Sequence, residues 1–242
     1  MVRTKGTREA ETAKLLENTY RHINIALVNE MARFCHDLQI DLWDVIAAAS
    51  TKPFGFQPFR PGPGVGGHCI PIDPNYLSRR VRARLGYPFR FVELAQEINA
   101  AMPGYVARRV QDQLNVDGKS LWGSSVLLLG VTYKPNIADI RESQAIPLTK
   151  ILLQHGAVVR FHDPLVKQFG VSNRDIPRVD DVDQSLAEAD ICVLLQDHRS
   201  YDIGAMTAIA RRFFDTRGVA RPAHNVDLLL TLSWFWRLPD SD

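Results

Sequence analysis

A thiol and a carboxylate stand four residues apart in the string GPGVGGHCIPIDP, residues 62–74: Cys69 and Asp73. A thiolate is a strong nucleophile, and a nearby carboxylate can manage the proton of the thiol or of an attacking water. The glycines ahead of Cys69 allow a backbone to approach a substrate closely. Gly62, Gly64 and Gly67 also spell G-x-G-x-x-G, which marks a dinucleotide turn only where it follows a strand and opens a helix. The preceding TKPFGFQPFRP contains three prolines and reads as irregular loop, so the dinucleotide reading is set aside. A cysteine in a glycine turn can also be buried filler. The flanking glycines, prolines and His68 argue against a packed strand and favour a reactive thiol. His68 is adjacent to Cys69, where side chains diverge, which leaves Asp73 the better partner. Cys35 and Cys192 lie in apolar stretches and read as inert core residues.

Three further groups of residues could act on an oxyanion or a phosphate. Lys14 and Asn18 are four apart on a helical pattern and share one face, where they are either a solvated edge or an ammonium and an amide aimed at a developing negative charge. Asn29 and Glu30, farther along, read as packing or helix contacts. Lys134, Asp139 and Arg141 fall in YKPNIADIRES after a strand-like run, a position where Lys134 and backbone N–H groups can hold phosphate. Arg217, in FDTRG, occupies the end of another strand.

The elements that must position these groups change character near residue 116. Leu15, Thr19, Ile23, Ala26, Leu27, Met31 and Phe34 predict one long helix over Glu9–Leu38. Further helices are predicted over Leu42–Ala49, Pro74–Leu85 and Phe91–Leu114, the last with a possible kink or split at Pro103 and Gly104. From there apolar strands alternate with helices: strands over Ser125–Gly130, Val158–His162, Ala189–Leu195 and Arg212–Asp215, helices over Ala145–Gln154 and around Gln184–Ala187. This predicts an α/β chain, with an all-helical region over 1–115 carrying the cysteine loop, followed by a Rossmann-like, doubly wound parallel sheet over 116–242. Ligands on such sheets sit at the carboxyl ends of the strands. The loop after the first strand, GVTYKPN, has one glycine and lacks a pyrophosphate turn for NAD.

With 242 residues, 45% of them hydrophobic, the chain is long enough for one large core or two small ones. No apolar run approaches the length of a membrane span, and the first eight residues are too polar for a signal peptide, so no membrane partner and a cytoplasmic setting are expected. A net charge of +2 offers no global field for nucleic acid. Three cysteines with no C-x-x-C pair disfavour a disulfide framework and a structural zinc site, and no metal site is expected.

Four segments in order, AKLLENTYRHINIALVNE, GPGVGGHCIPIDP, LLLGVTYKPNIADIRES and FDTRG, make the chain resemble the UDP-glucose/GDP-mannose dehydrogenase family of NAD-dependent nucleotide-sugar 6-dehydrogenases. GPGVGGHCIPIDP and RFVELAQEIN are most similar to its UDP-N-acetylhexosamine branch, and Ile72 stands where UDP-glucose enzymes commonly carry lysine. The resemblance implies a two-step oxidation of a sugar C6 alcohol, with Cys69 capturing the intermediate aldehyde as a thiohemiacetal that becomes a thioester. Lys14 and Asn18 would stabilise charge on oxygen, Asp73 would assist hydrolysis, Lys134 and Arg217 would hold UDP, and Phe59, Arg60 and Gly66 would line the substrate. It also implies a homodimer through the central helices. The family begins with an NAD-binding Rossmann domain for which these residues offer no counterpart, so the chain is expected to lack the NAD site and to be inactive alone. Two other readings follow from the residues: a UDP-sugar-binding dimerisation module without chemistry, and a cysteine hydrolase pairing Cys69 with His162 or His198.

Overall fold

The computed structural model describes residues 3–67, 78, 81–220 and 225–228. Cys69, Asp73 and most of the helix expected over Pro74–Leu85 lie outside them; residues 81–85 are helical. Helix α1 (Thr7–Asp37) and α2 (Leu42–Ala49) come first, and Asp41 caps α2 by accepting from the amides of Trp43 and Asp44. Helix α3 (Arg90–Val116) packs along α1. It runs through Pro103 without ending, so the expected split does not occur. A proline within a helix costs one hydrogen bond, here that of the Asn99 carbonyl four residues earlier. That carbonyl faces Gly64 of the glycine-rich loop: a Cβ placed on Gly64 would lie 3.0 Å from it.

The second half alternates as expected. Strand β1 (Ser125–Leu129) is followed by α4 (Ala145–Gln154) and β2 (Val158–His162). A short hairpin, β3 (Phe169–Val171) and β4 (Arg174–Ile176), intervenes before α5 (Val182–Glu188), β5 (Ile191–Leu194), α6 (Ile203–Ile209), β6 (Phe213–Asp215) and β7 (Val226–Leu228). The main sheet is parallel throughout, in the order β2-β1-β5-β6-β7. Chain direction across the sheet reverses between β1 and β5, and a crevice opens at such a switch point beyond the carboxyl ends of the strands.

Strand alternation sorts the core into two layers. Val126, Leu128, Ile191, Val193 and Phe214 face one way, into an apolar cluster shared with Met102, Val106, Val110 and Leu114 of α3 and with Leu148 and Leu152 of α4. Leu127, Leu129, Cys192, Leu194 and Phe213 face the other way, against Leu186 of α5 and Met206 of α6. The second half of α3 thus covers one face of the sheet, while its first half lies on α1. One rigid helix therefore joins the two regions. Each fully buried leucine or phenylalanine side chain contributes about 1.5–3 kcal/mol, so this shared cluster is a strong brace. Among the described residues, no helix is long and apolar enough to cross a membrane.

Candidate functional site

The glycine-rich loop is held at Gly62 and at Val65. At Gly62 the backbone N–H donates to Asn29 Oδ1 of α1 at 2.9 Å, and Asn29 Nδ2 donates to Asn99 Oδ1 of α3, also at 2.9 Å. Asn99 Nδ2 in turn reaches the His22 carbonyl at 3.2 Å. Asn29 is fully buried and Asn99 nearly so, which makes this a buried polar network inside an apolar helix pair. Such networks fix geometry, because a buried group stripped of its partner is costly. At Val65 the carbonyl accepts from Gln144 Nε2, just ahead of α4, at 2.6 Å.

Past the Val65 anchor the loop lies against the turn that follows β1. A Cβ on Gly66 would fall 2.7 Å from the Glu142 carbonyl oxygen and 3.1 Å from Tyr133 Cβ, and one on Gly67 would meet the Tyr133 ring at 2.9 Å. Only glycine allows so close an approach. Lys134 is exposed, with its ammonium 5.6 Å from the centre of the Tyr133 ring. Tyr133 N–H donates to the Asp139 carbonyl, and the Asp139 carboxylate binds Arg141 through two nitrogens, at 3.0 and 2.7 Å. Arg141 is thereby committed within its own loop, while Lys134 projects to solvent.

Arg217 closes the other side. Its guanidinium lies 3.0 Å from where a Gly62 Cβ would be and 3.8 Å from Asp197 Oδ1, which follows β5. Burial lowers the Arg217 pKa, Asp197 and Asp215 oppose the shift, and nearby Arg60 adds to it. The turn carrying Arg217 is built by Asp215, whose buried carboxylate accepts from the amides of Arg217, Gly218, Val219 and Ala220. Gly218 has φ of +67°, and a Cβ there would overlap the Trp43 ring at 2.3 Å. The indole of α2 is thus pressed onto this turn.

Phe59 packs its ring edge-on to Tyr20 of α1, centroids 5.7 Å apart. Earlier on the same helix come Lys14, exposed, and Asn18, buried. The Lys14 side chain makes no hydrogen bond or ion pair among the described residues. The structure thus sets Arg217 against Gly62 and Tyr133 against Gly66 and Gly67, with Lys134 beside the Tyr133 ring, and puts Lys14 and Asn18 on the helix to which Phe59 is fastened.

Both histidines of the hydrolase reading are occupied. His198 Nδ1 accepts from the Asn136 amide at 3.0 Å and Nε2 pairs with the buried Asp163 at 3.1 Å. The Tyr201 hydroxyl donates to the His162 carbonyl at 2.9 Å and lies 3.1 Å from its Nδ1. They brace the strand ends rather than serve a nucleophile. Burial disfavours the Asp163 carboxylate, but hydrogen bonds from His198, Leu165 and Val131 outweigh it and hold its pKa below the usual range. Sequence reasoning missed Asn99, Tyr133 and Gln144. An asparagine on the buried side of an apolar stripe, as in EIN at 97–99, is the signal that could have found the first; the other two have none.

Residues 8–101 match the model of the UDP-glucose/GDP-mannose dehydrogenase family, central domain, and residues 127–222 match its UDP binding domain. The UDP-N-acetyl-D-mannosamine dehydrogenase of Methanococcus maripaludis is 38% identical over 192 residues, 79% of this chain and 42% of that protein. The enzyme of the same name from Escherichia coli is 32% identical over 222 residues, 89% of this chain and 52% of that protein. A solved structure of the UDP-N-acetyl-mannosamine dehydrogenase of S. aureus superposes with a TM-score of 0.74 at 32% identity, covering 92% of this chain and 51% of that one. The chain therefore spans about half the length of the curated relatives it matches. With both family domains matched in order and the fold shared, the chain belongs to the UDP-glucose/GDP-mannose dehydrogenase family.

Proposed function

We propose that this chain carries the nucleophile and the UDP site of a UDP-N-acetylhexosamine 6-dehydrogenase, with the helical region over 1–115 and the UDP-binding region over 116–242. One observation carries the reading: the glycine run ahead of Cys69 is held at Val65 by Gln144 of the loop after β1, which also carries Lys134, and lies at Gly62 against Arg217 of the turn after β6. A UDP diphosphate there meets two cations from two strand ends, and the sugar then points along the glycine run toward Cys69. The relatives' names supply the acetylhexosamine.

In this reading the Cys69 thiol adds to the C6 aldehyde carbon, forming a C–S bond as its proton leaves toward Asp73 or water. Lys14 and Asn18 donate to the resulting oxyanion, where fixed donors stabilise charge at no reorganisation cost. Once the adduct has been oxidised to a thioester, water attacks its carbonyl, the C–S bond breaks, and the carboxylate product leaves with the thiol restored. Phe59, Arg60 and Gly66 line the sugar's path. The family uses NAD, but the residues described here do not fit a dinucleotide. Between β1 and α4 runs a loop over residues 130–144 with a single glycine rather than a tight glycine turn. The hydride transfers are therefore assigned to no residue of this chain, which is expected to be inactive by itself.

The chain is further proposed to pair as a homodimer through α1, whose Leu16, Tyr20, Leu27 and Phe34 are exposed apolar side chains at helical spacing. Mixing the chain with the NAD-binding region of a relative, supplied as a separate polypeptide, tests the enzyme reading. NADH formation from UDP-N-acetylmannosamine that disappears in Cys69→Ser is the expected result. Tight UDP binding with no turnover of any UDP-sugar would instead make the chain a binding module.

A further inference from the structure

Three strand ends meet on one imidazole. His198 follows β5, Asp163 follows β2, and the loop after β1 carries Thr132, Lys134 and Asn136. The Asn136 backbone N–H donates to His198 Nδ1 at 3.0 Å. An amide N–H can only donate, so Nδ1 holds the lone pair and Nε2 the proton, which faces Asp163 Oδ2 at 3.1 Å and Thr132 Oγ1 at 3.3 Å. The Thr132 hydroxyl donates onward to the Lys134 carbonyl at 2.9 Å. His198 therefore grips the loop on both sides of Lys134. Asp163, His198 and Thr132 are buried, and the Asp163 carboxylate is itself fixed by the amides of Val131, Leu165 and Val166. Asn136 holds a φ of +64°, and its side-chain oxygen accepts from the Arg199 amide at 2.9 Å.

Resting on the reading that Lys134 contacts UDP, we propose that His198 is a positioning residue for nucleotide binding, fixing the backbone around Lys134 through Thr132 and the Asn136 amide. A lysine on a free loop loses conformational freedom when it binds an anion, whereas one carried on a turn already held by buried hydrogen bonds loses less. Asp163 acts one step further back: by accepting the Nε2 proton it sets the tautomer that leaves Nδ1 open to the Asn136 amide. Neither His198 nor Asp163 needs to touch the ligand.

Two substitutions at His198 separate positioning from mere stability, with UDP as the probe in calorimetry on this chain. His198→Asn keeps an oxygen near the place of Nδ1 and gives up the reach to Asp163; His198→Gln keeps a donor toward Asp163 and gives up the acceptor for Asn136. Each loses one buried bond, so both should lower the melting temperature. UDP affinity should nevertheless stay within about twofold in His198→Asn and fall about fivefold in His198→Gln. In a Lys134→Ala background His198→Gln should add no further loss, because the residue it positions is gone. Thr132→Val, which keeps the side chain's shape and removes the hydroxyl link, should weaken UDP about threefold and provides the reading if His198→Gln does not fold. Equal affinities in the two His198 variants, a His198→Gln loss that persists without Lys134, or unchanged affinity in Thr132→Val would overturn the inference. A wild-type chain that does not bind UDP, or a Lys134→Ala variant that binds it normally, would instead overturn the site assignment on which it rests, and the inference with it.

Discussion

Asn29→Ala removes the centre of the network that holds the glycine run, and its cost can be worked from two hydrogen bonds. The substitution strips Gly62 N–H of its acceptor and Asn99 Oδ1 of its donor, each bond being 2.9 Å long, at a residue with no exposed surface. Leaving a buried polar group unpaired costs about 1–3 kcal/mol, and two such groups with partial access of water to the vacated space give about 2–4 kcal/mol. Urea unfolding followed by tryptophan fluorescence is a suitable assay, because Trp43 packs on both sides of the sheet's core and reports the joined regions. Asn99→Ala breaks the same Asn29–Asn99 bond, so the double variant should lose less than the sum of the single losses by about 1 kcal/mol. Alkylation of Cys69 should also change in Asn29→Ala, because the loop's first anchor is gone. A loss below about 0.5 kcal/mol, or strict additivity with Asn99→Ala, would refute the claim that these asparagines form one unit.

Other outcomes follow from the same geometry. Gly218→Ala should lower stability by about 1–3 kcal/mol and weaken UDP binding, since the new Cβ overlaps Trp43 and the residue holds a positive φ; calorimetry and thermal melts check both. His36 has its pKa lowered to about 4 by burial, with Arg109 adding to the effect and Asp37 opposing it. A neutral histidine favoured in the folded state gives stability that is fully present above the unfolded value near 6.5 and is lost as pH falls toward 4. That loss should amount to about 2 kcal/mol after discounting for partial exposure, and His36→Gln should flatten the melting temperature over this window.

How far the fold was legible depended on how strongly each segment repeats. Helices α1, α2 and α4 and strands β1 and β2 carry apolar residues at their proper periods, and the structure places their ends within about two residues of expectation. The hairpin β3–β4 was invisible because its strands have three residues each and its turn uses Ser172 and Asn173 at positive φ, without the glycine that usually marks such a turn. Strand β7, VDL, is too short to alternate, and its Asp227 is buried in a 2.5 Å ion pair with Arg109 rather than exposed. Pro103 suggested a break that packing against both α1 and the sheet overrides; its real consequence is the free carbonyl of Asn99 at Gly64. Lys134 and Arg217 could be placed beyond the carboxyl ends of strands from the alternation of elements alone. Gln144 could not, because nothing local in RESQAIP tells that its side chain crosses to a loop 79 positions earlier.

The central claim, a UDP site between Lys134 and Arg217, is tested most directly by calorimetric titration of UDP and of NAD into the intact chain, the Arg217→Ala variant and the Lys134→Ala variant. UDP should bind the wild-type chain, each variant should lose about tenfold in affinity through a lost charge-assisted contact, and NAD should give no heat of binding. UDP affinity unchanged by both substitutions, or tight binding of NAD in place of UDP, would contradict the account.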